Sequence, residues 1–126
     1  MSIVLDAGAL VAVERGDREM IAVIKRERRA GRCPLTHGGV IAQVWRGGAG
    51  RQAILARLLP GIAVSAFDDD LGKRAGVLLG RARGHDVIDA AVVLLAEDGD
   101  EIFTSEPADL RRLVSSLGTH ADLIAV

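Results

Sequence analysis

Four carboxylates are the side chains of this sequence best suited to chemistry, because they fall at the ends of predicted strands and the start of one predicted helix. Asp6 directly follows the apolar run Ile3–Leu5, and Glu106 follows the penultimate predicted strand. Asp86 and Asp89 begin a helix, where a spacing of three residues places them on one face. In a parallel sheet flanked by helices, ligands bind beyond the carboxyl ends of the strands, so these carboxylates are candidates for one site.

Carboxylates that converge repel one another and raise one another's pKa values unless a cation lies among them. A cluster of oxygen ligands without cysteine favours Mg²⁺ or Mn²⁺, and such an ion can activate water for attack on a phosphodiester. We therefore predict a divalent-metal site with Asp6, Asp86, Asp89 and Glu106 as its candidate ligands.

Three of these four acidic residues also have a purely structural interpretation. Asp6 could be the N-cap of a helix that begins at Ala7, since Asp is a favoured N-cap residue. Asp86 and Asp89 could form a carboxylate variant of the capping box at a helix start, stabilised by the helix dipole. The three consecutive aspartates at 68–70 are interpreted as a solvated helix N-terminus.

Other common catalytic and ligand-binding patterns are missing from the sequence. The glycines fit neither the dinucleotide-binding fingerprint nor the Walker phosphate loop, and the serines lack a nucleophile-elbow context. His37, His85 and His120 share no spacing that would place two of them on one helical face, so we treat them as local polar residues. The single cysteine, Cys33, excludes an internal disulfide, indicates a reducing compartment, and is expected to fill the core.

The composition fits one globular domain spanning residues 1–126, with 49% hydrophobic and 26% charged residues. A formal net charge of -1 demands neither a nucleic-acid nor a membrane partner, but the charge is unevenly distributed. Residues 1–67 contain ten basic and five acidic side chains, whereas residues 68–126 contain six basic and twelve acidic ones. With no apolar run near the length of a membrane span and no targeting segment, we expect a cytoplasmic protein.

Short apolar runs alternate with helical patterns along the whole chain, which predicts an α/β fold with a mainly parallel sheet of four to five short strands flanked by helices. The predicted strands are 2–5, 33–35, 62–66, 101–103 and 123–126, and the predicted helices are 7–14, 18–30, 38–46, 52–59, 68–83, 86–97 and 107–115. Thr36 is the predicted cap of the third helix. The helix at 86–97 is apolar on nearly all sides and is therefore expected to lie centrally.

Four strings, in this order and spacing, resemble the PIN domain, specifically the VapC-type toxin ribonucleases of bacterial and archaeal toxin–antitoxin pairs. They are Ile3–Asp6 with 9–11 just after it, Val40–Gly47, Asp86–Ala90 and Thr104–Leu110. The resemblance covers nearly all of the chain and implies a three-layer sandwich of helices around the sheet. It also implies an endoribonuclease in which acidic residues hold Mg²⁺ or Mn²⁺ and a metal-bound water cleaves RNA.

Carried over position by position, the resemblance makes Asp6 the first acidic residue and Asp89 the third, with Asp86 as a nearby auxiliary. The fourth position, usually Asp, is Glu106 here, which keeps the charge and adds a methylene, and Asp109 could assist it. The partners that the resemblance implies are an RNA substrate, a cognate antitoxin and a second copy of the chain.

The second acidic position of the family, normally Glu, is occupied by Gln43. An amide offers a carbonyl oxygen to a metal or an ordered water, but it supplies no negative charge and cannot act as a base at neutral pH. Three carboxylates are still enough for one Mg²⁺, which retains several waters in many sites. We therefore expect weakened metal affinity and reduced or lost cleavage compared with a relative that has all four acids.

Two other functions remain open at this point. The first is a degenerate PIN-like domain that binds an antitoxin or itself without cutting, for which Gln43 would be the sign. The second is another α/β domain such as a phosphoacceptor receiver, although Lys25 and Lys73 are the only lysines and neither lies late in the chain. Leu10, Val13 and Ile21 could form a dimer face or belong to the core.

Overall fold

The computed structural model describes all residues from 1 to 126. It contains five strands and seven α-helices. The strands are β1 (Ile3–Leu5), β2 (Leu35–His37), β3 (Ala63–Ser65), β4 (Glu101–Thr104) and β5 (Asp122–Ala125), and the helices are α1 (Ala7–Glu14), α2 (Arg18–Arg29), α3 (Gly38–Val44), α4 (Ala53–Leu58), α5 (Asp69–Ala82), α6 (Val87–Leu95) and α7 (Pro107–Leu117). Short 3-10 helices at Gly50–Gln52 and Leu59–Gly61 flank α4.

The five strands form one parallel sheet in the order β3-β2-β1-β4-β5. From β1 the chain moves outward to β2 and β3, and it then returns to the other side of β1 with β4 and β5. The strand order therefore reverses between β1 and β4, which is the topological switch point where parallel α/β sheets bind their ligands. The predicted fold class, including the number of strands and their parallel arrangement, is confirmed.

Helices cover both faces of the sheet and make a three-layer sandwich. Helix α1 packs with α2, α3 and α4 on one face, whereas α5, α6 and α7 pack with one another on the other. Central strand β1 is buried on both sides, which explains its continuous apolar run. Helix α6 contacts β1, β2, α5 and α7, and residues Ala90–Val93 are fully buried, so the predicted central position of this helix is confirmed.

Most helices begin at a side chain that caps them. Asp17 accepts a hydrogen bond from the backbone N–H of Met20 at the start of α2, and Asp68 accepts one from Leu71 at the start of α5. The structural interpretation of residues 68–70 is confirmed, because Asp69 and Asp70 are exposed and form surface ion pairs with residues one turn later. Helix α5 has weak intrinsic helix propensity, since three glycines recur along it at 72, 76 and 80.

The structure corrects several sequence predictions in the first half of the chain. Strand β2 lies two residues later than predicted, and the cap of α3 is the side chain of His37 rather than Thr36. Cys33 is exposed, so it does not fill the core. Leu10 and Val13 are completely buried and belong to the core rather than to a dimer face.

Thr36 has a different role, which is to join the ends of two strands. The pairing of β1 with β2 is limited to Val4 and Leu35, and the buried hydroxyl of Thr36 donates a hydrogen bond of 2.8 Å to the carbonyl oxygen of Leu5. This bond fixes β2 beside the last residue of β1, immediately before Asp6. The Thr36 side chain thus joins β1 and β2 at the edge of the sheet that carries the candidate carboxylates.

We expect the substitution Thr36→Val to lower the free energy of unfolding by about 1–2 kcal/mol, because the buried carbonyl of Leu5 loses its donor. Chemical denaturation measures this change. Thr119→Val is the matched control, since the Thr119 hydroxyl forms no hydrogen bond and its loss should change little. Equal losses in the two variants would contradict the role assigned to Thr36.

Candidate active site

The candidate site lies at the switch point, where β1 and β4 end side by side. The backbone N–H of Asp6 donates a 3.0 Å hydrogen bond to the carbonyl oxygen of Phe103, which continues the pairing of the two strands one residue past the end of β1. Asp6 after β1 and Thr104 at the end of β4 therefore lie next to each other. The expectation that Asp6 and the segment around Glu106 share one edge of the sheet is confirmed.

Both carboxylate oxygens of Asp6 are engaged, and the side chain is only 6% exposed. Oδ1 accepts a hydrogen bond from the backbone N–H of Ala7 at 2.8 Å, and Oδ2 accepts one from the Thr104 hydroxyl, also at 2.8 Å. Asp6 is therefore both the N-cap of α1 and a member of the site, so the two interpretations of this residue do not exclude each other. Two hydrogen bonds hold its carboxylate in a single orientation.

Thr104 also positions Glu106. Its hydroxyl oxygen accepts a 3.0 Å hydrogen bond from the backbone N–H of Glu106 while it donates to Asp6. The Glu106 side chain is exposed and does not cap α7, so its carboxylate is uncommitted. The sequence does not predict this role of Thr104; the available signal is a hydroxyl residue at the end of a buried strand, two positions before a candidate acid.

The sequence left both capping and metal binding open for Asp86 and Asp89, and the structure gives the capping role to Asp86 alone. Asp86 is the N-cap of α6, and its Oδ1 accepts a 3.0 Å hydrogen bond from the backbone N–H of Asp89. The reciprocal bond of a capping box is not formed, and the half-buried carboxylate of Asp89 has no hydrogen-bond partner. Asp86 therefore has a structural function, whereas the Asp89 side chain remains available for a ligand.

Asp89 lies within the electrostatic reach of four other carboxylates. Burial in the first place, and then the negative charges of Asp6, Asp86, Asp109 and Glu106, raise the pKa of Asp89 from 3.8 to about 7. We refer to these five residues as the carboxylate cluster. Helices α6 and α7 and strand β1 supply its members, so folding collects side chains that are up to 103 positions apart in the sequence.

No ion pair neutralises a member of the carboxylate cluster. The ion pairs of the structure join Glu27 to Arg26 and Arg32, Asp69 to Lys73, and Asp70 to Arg74, and none involves a member of the cluster. Like charges held together without a counterion are the expected environment of a cation site. Oxygen ligands of this kind suit Mg²⁺ or Mn²⁺.

The side chains of the cluster do not form a ready coordination shell. No group of three or more Asp, Glu, His or Cys side chains is arranged to hold a metal ion. Hydrogen bonds direct Asp6 and Asp86 toward the protein's own N–H and O–H groups. The uncommitted carboxylates of Asp89 and Glu106 would have to turn toward Asp6 for three ligands to meet at one point.

Gln43 is not part of this cluster. It is exposed near the end of α3, and its side chain forms no hydrogen bond. Six residues separate it from His37, the N-cap of the helix, which corresponds to about 9 Å along the helix axis. Of the residues singled out in the sequence, the structure thus brings together Asp6, Asp86, Asp89, Glu106 and Asp109, whereas no hydrogen bond joins Gln43 to any of them.

His37 is a buried link between α3 and α6. Its Nδ1 accepts a hydrogen bond from the backbone N–H of Gly39 at 3.0 Å, so the ring proton is on Nε2, which donates to the carbonyl oxygen of Ile88 at 3.1 Å. Burial lowers the pKa of His37, although the Ile88 carbonyl and the charge of Asp6 oppose this effect. The neutral ring joins α3 to the residue that precedes Asp89, a role that the sequence analysis missed.

Gly8 allows α1 to approach the turn between β4 and α7. A Cβ atom at this position would lie 2.5 Å from the Ser105 hydroxyl oxygen and 2.7 Å from the Ser105 backbone nitrogen. Any side chain would therefore push the turn away from α1. The contact between Asp6 and Thr104 depends on this close approach.

Neither a scan against protein-family models nor a search of curated proteins gives a match for this chain. None of the seven α-helices combines the length and the apolar character that crossing a bilayer requires.

We expect Gly8→Ala to lower the free energy of unfolding by about 1–3 kcal/mol, because the new methyl group collides with the Ser105 backbone. Gly76→Ala in α5 is the matched control. No atom lies within 4 Å of a Cβ built there, so the alanine should instead stabilise the helix by about 0.5–1 kcal/mol. Thermal or chemical denaturation of both variants tests the prediction, and a neutral Gly8→Ala would contradict it.

The raised pKa of Asp89 predicts how stability depends on pH. Between the unfolded value of 3.8 and the folded value of about 7, the folded state holds a proton that the unfolded state has lost. This stabilisation is complete below the unfolded pKa and disappears as the pH rises through about 7. Without added metal, Asp89→Asn should therefore raise the melting temperature by a few degrees at about pH 8 and much less at about pH 4.

The control for this measurement is Asp69→Asn, which removes the same charge from an exposed carboxylate outside the cluster. It should shift the melting temperature little at either pH, because exposed ion pairs contribute little to stability. A parallel pH dependence in the Asp89 and Asp69 variants would contradict the electrostatic coupling of Asp89 to the cluster.

Proposed function

We propose that this protein is a divalent-metal-dependent ribonuclease, the toxin of a toxin–antitoxin pair. The observation that carries the proposal is Asp89, a half-buried carboxylate placed among four others at the switch point of a parallel sheet and joined to no basic side chain by an ion pair. The choice of RNA as the substrate comes from the resemblance to VapC-type PIN domains.

The donor set fits Mg²⁺ or Mn²⁺ in its chemistry, since it consists of carboxylate oxygens with an excess of negative charge. Asp6 and Asp89 would be the principal ligands, and Glu106 would orient a ligand water or add a third carboxylate. A bound ion would stabilise charge on the phosphodiester and acidify a water molecule. Because Asp89 has a pKa of about 7, ion binding at neutral pH should be coupled to the release of its proton.

The residues around the ligands supply orientation. Thr104 fixes the Asp6 carboxylate and the backbone of Glu106 through one hydroxyl. His37 and Asp86 hold the start of α6, and with it the backbone of Asp89, by hydrogen bonds to the Ile88 carbonyl and the Asp89 N–H. Catalytic geometry in this proposal depends on these neutral and capping contacts as much as on the ligands.

The proposed partners are an antitoxin and a second copy of the chain, and this part of the proposal is based on the resemblance to VapC-type PIN domains. The proposed location is the cytoplasm. A dimer interface would need residues other than Leu10 and Val13, since both are buried. The second candidate function is a binding domain that has lost cleavage. Gln43 at the usual Glu position and the lack of a ready three-ligand group favour this alternative.

Metal titration separates the two candidates. If the site binds an ion, millimolar Mn²⁺ or Mg²⁺ should raise the melting temperature of the native chain, because binding to the folded state alone stabilises it. Asp89→Asn should abolish the rise, whereas Asp69→Asn should retain it. No shift in the native chain, or an equal shift in both variants, would rule out a metal site at the cluster.

Cleavage of single-stranded RNA tests the catalytic part of the proposal. We expect metal-dependent cleavage that falls on the order of 10²-fold in Asp89→Asn. Gln43→Glu should increase both metal affinity and rate if the position faces the ion, and Ala42→Glu, which adds the same charge one residue earlier, should not. Equal rates for the native chain and Gln43→Glu would show that charge at this position does not limit the chemistry.

A further inference from the structure

A cavity of about 430 Å³ opens directly beside the carboxylate cluster, between the end of α5 and the starts of α6 and α7. We call it the α5–α7 cleft. Its volume is within the ~300–1,000 Å³ range of sites that enclose one small ligand. Asp86, Asp89 and Asp109 line it together with two arginines, Arg83 and Arg112. One side of the cluster thus faces open space that also contains positive charge.

The two arginines are not used by the protein itself. Neither Arg83 nor Arg112 belongs to an ion pair, and neither side chain donates a hydrogen bond, although three carboxylates line the same cleft. Both side chains are exposed. Guanidinium groups in this situation are available to an anion, and their planar donor pattern matches phosphate.

Arg83 occupies its position at a conformational disadvantage. It ends α5 in the left-handed conformation, with φ of 54° and ψ of 41°, and it is the only residue other than glycine with a positive φ. Glycine is the usual residue at such a helix end, because other residues are strained there. Folding therefore does not explain why arginine is present at the mouth of the cleft.

We propose that the α5–α7 cleft binds a phosphodiester group of a single-stranded RNA through Arg83 and Arg112, next to the phosphodiester that lies at the carboxylate cluster. The inference rests on the proposed nuclease function and adds the path of the strand to it. The two arginines offset part of the repulsion that the three carboxylates of the cleft, Asp86, Asp89 and Asp109, exert on an approaching phosphate. No Phe, Trp or Tyr side chain lines the cleft, and the one ring there is the imidazole of His85. The two arginines therefore contact the backbone of the strand, and this contact is independent of base sequence.

The test is the affinity of the full-length protein for a fluorescent single-stranded RNA without added metal, measured by anisotropy over a range of salt concentrations. Each lost phosphate contact should lower the slope of log affinity against log salt by about 0.7. We expect this change, with a severalfold loss of affinity, in both Arg83→Gly and Arg112→Ala. Arg111→Ala and Arg81→Ala remove the same charge from exposed positions outside the cleft and should retain the native slope.

Arg83→Gly also distinguishes a loss of RNA binding from a loss of stability. Glycine relieves the left-handed strain, so this variant should melt at the same or a higher temperature while it binds RNA more weakly. Native affinity and slope in both cleft variants, or losses equal to those of the Arg81 and Arg111 controls, would overturn the proposal.

The outcomes distinguish the cleft from the nuclease. Metal-dependent cleavage that is unaffected by the two cleft substitutions would support the nuclease function and contradict RNA binding at the cleft. RNA binding that depends on Arg83 and Arg112 in a protein that never cleaves would support the cleft and refute the nuclease.

Discussion

Electrostatic repulsion among five carboxylates at one edge of a parallel sheet is the constraint around which this structure is arranged. Strands β1 and β4 must lie together in the core, and each carries an acid just beyond its last residue. Helix α6 adds Asp89 from the opposite layer. Hydrogen bonds to Asp6 and the raised pKa of Asp89 moderate this repulsion, and no ion pair to a basic side chain does so. Perturbed pKa values of this kind cluster at functional sites, which supports the proposed metal site.

Neutral polar side chains hold the charged ones in place. Thr36 joins β2 to β1, Thr104 joins β4 to Asp6, and His37 joins α3 to α6. All three are fully buried, with every polar side-chain atom in a hydrogen bond. In a dry interior such bonds resist displacement, since breaking one leaves a donor or acceptor unpaired. The orientation of the cluster therefore depends on residues that carry no charge.

The sequence predicted the architecture well because the apolar runs and the caps are local signals. The parallel sheet and all seven helices were predicted, and Asp6, Asp89 and Glu106 were expected at one edge. The prediction placed β2 two residues too early, because its polar residues Thr36 and His37 do not resemble a buried strand. Their partners, Leu5 and Ile88, are 31 and 51 positions away, so no local pattern reveals these bonds. Cleft residues such as Arg83 were missed for the same reason, since only the fold places them beside the acids.

Helix α5 shows where the order of this molecule originates. Glycines at 72, 76 and 80 each weaken an isolated helix by about 1 kcal/mol relative to alanine. The segment therefore has little tendency to form a helix by itself. Its order comes from Leu71, Ala75, Leu78 and Ala82, which it buries against neighbouring helices. The end of α5 that carries Arg83 is therefore ordered by its packing against α6 and α7. Local unfolding of α6 and α7, the layer that carries Asp89, would therefore also unfold the end of α5 that carries Arg83. Binding of a ligand to Arg83 and Asp89 would then be coupled to the folding of this layer.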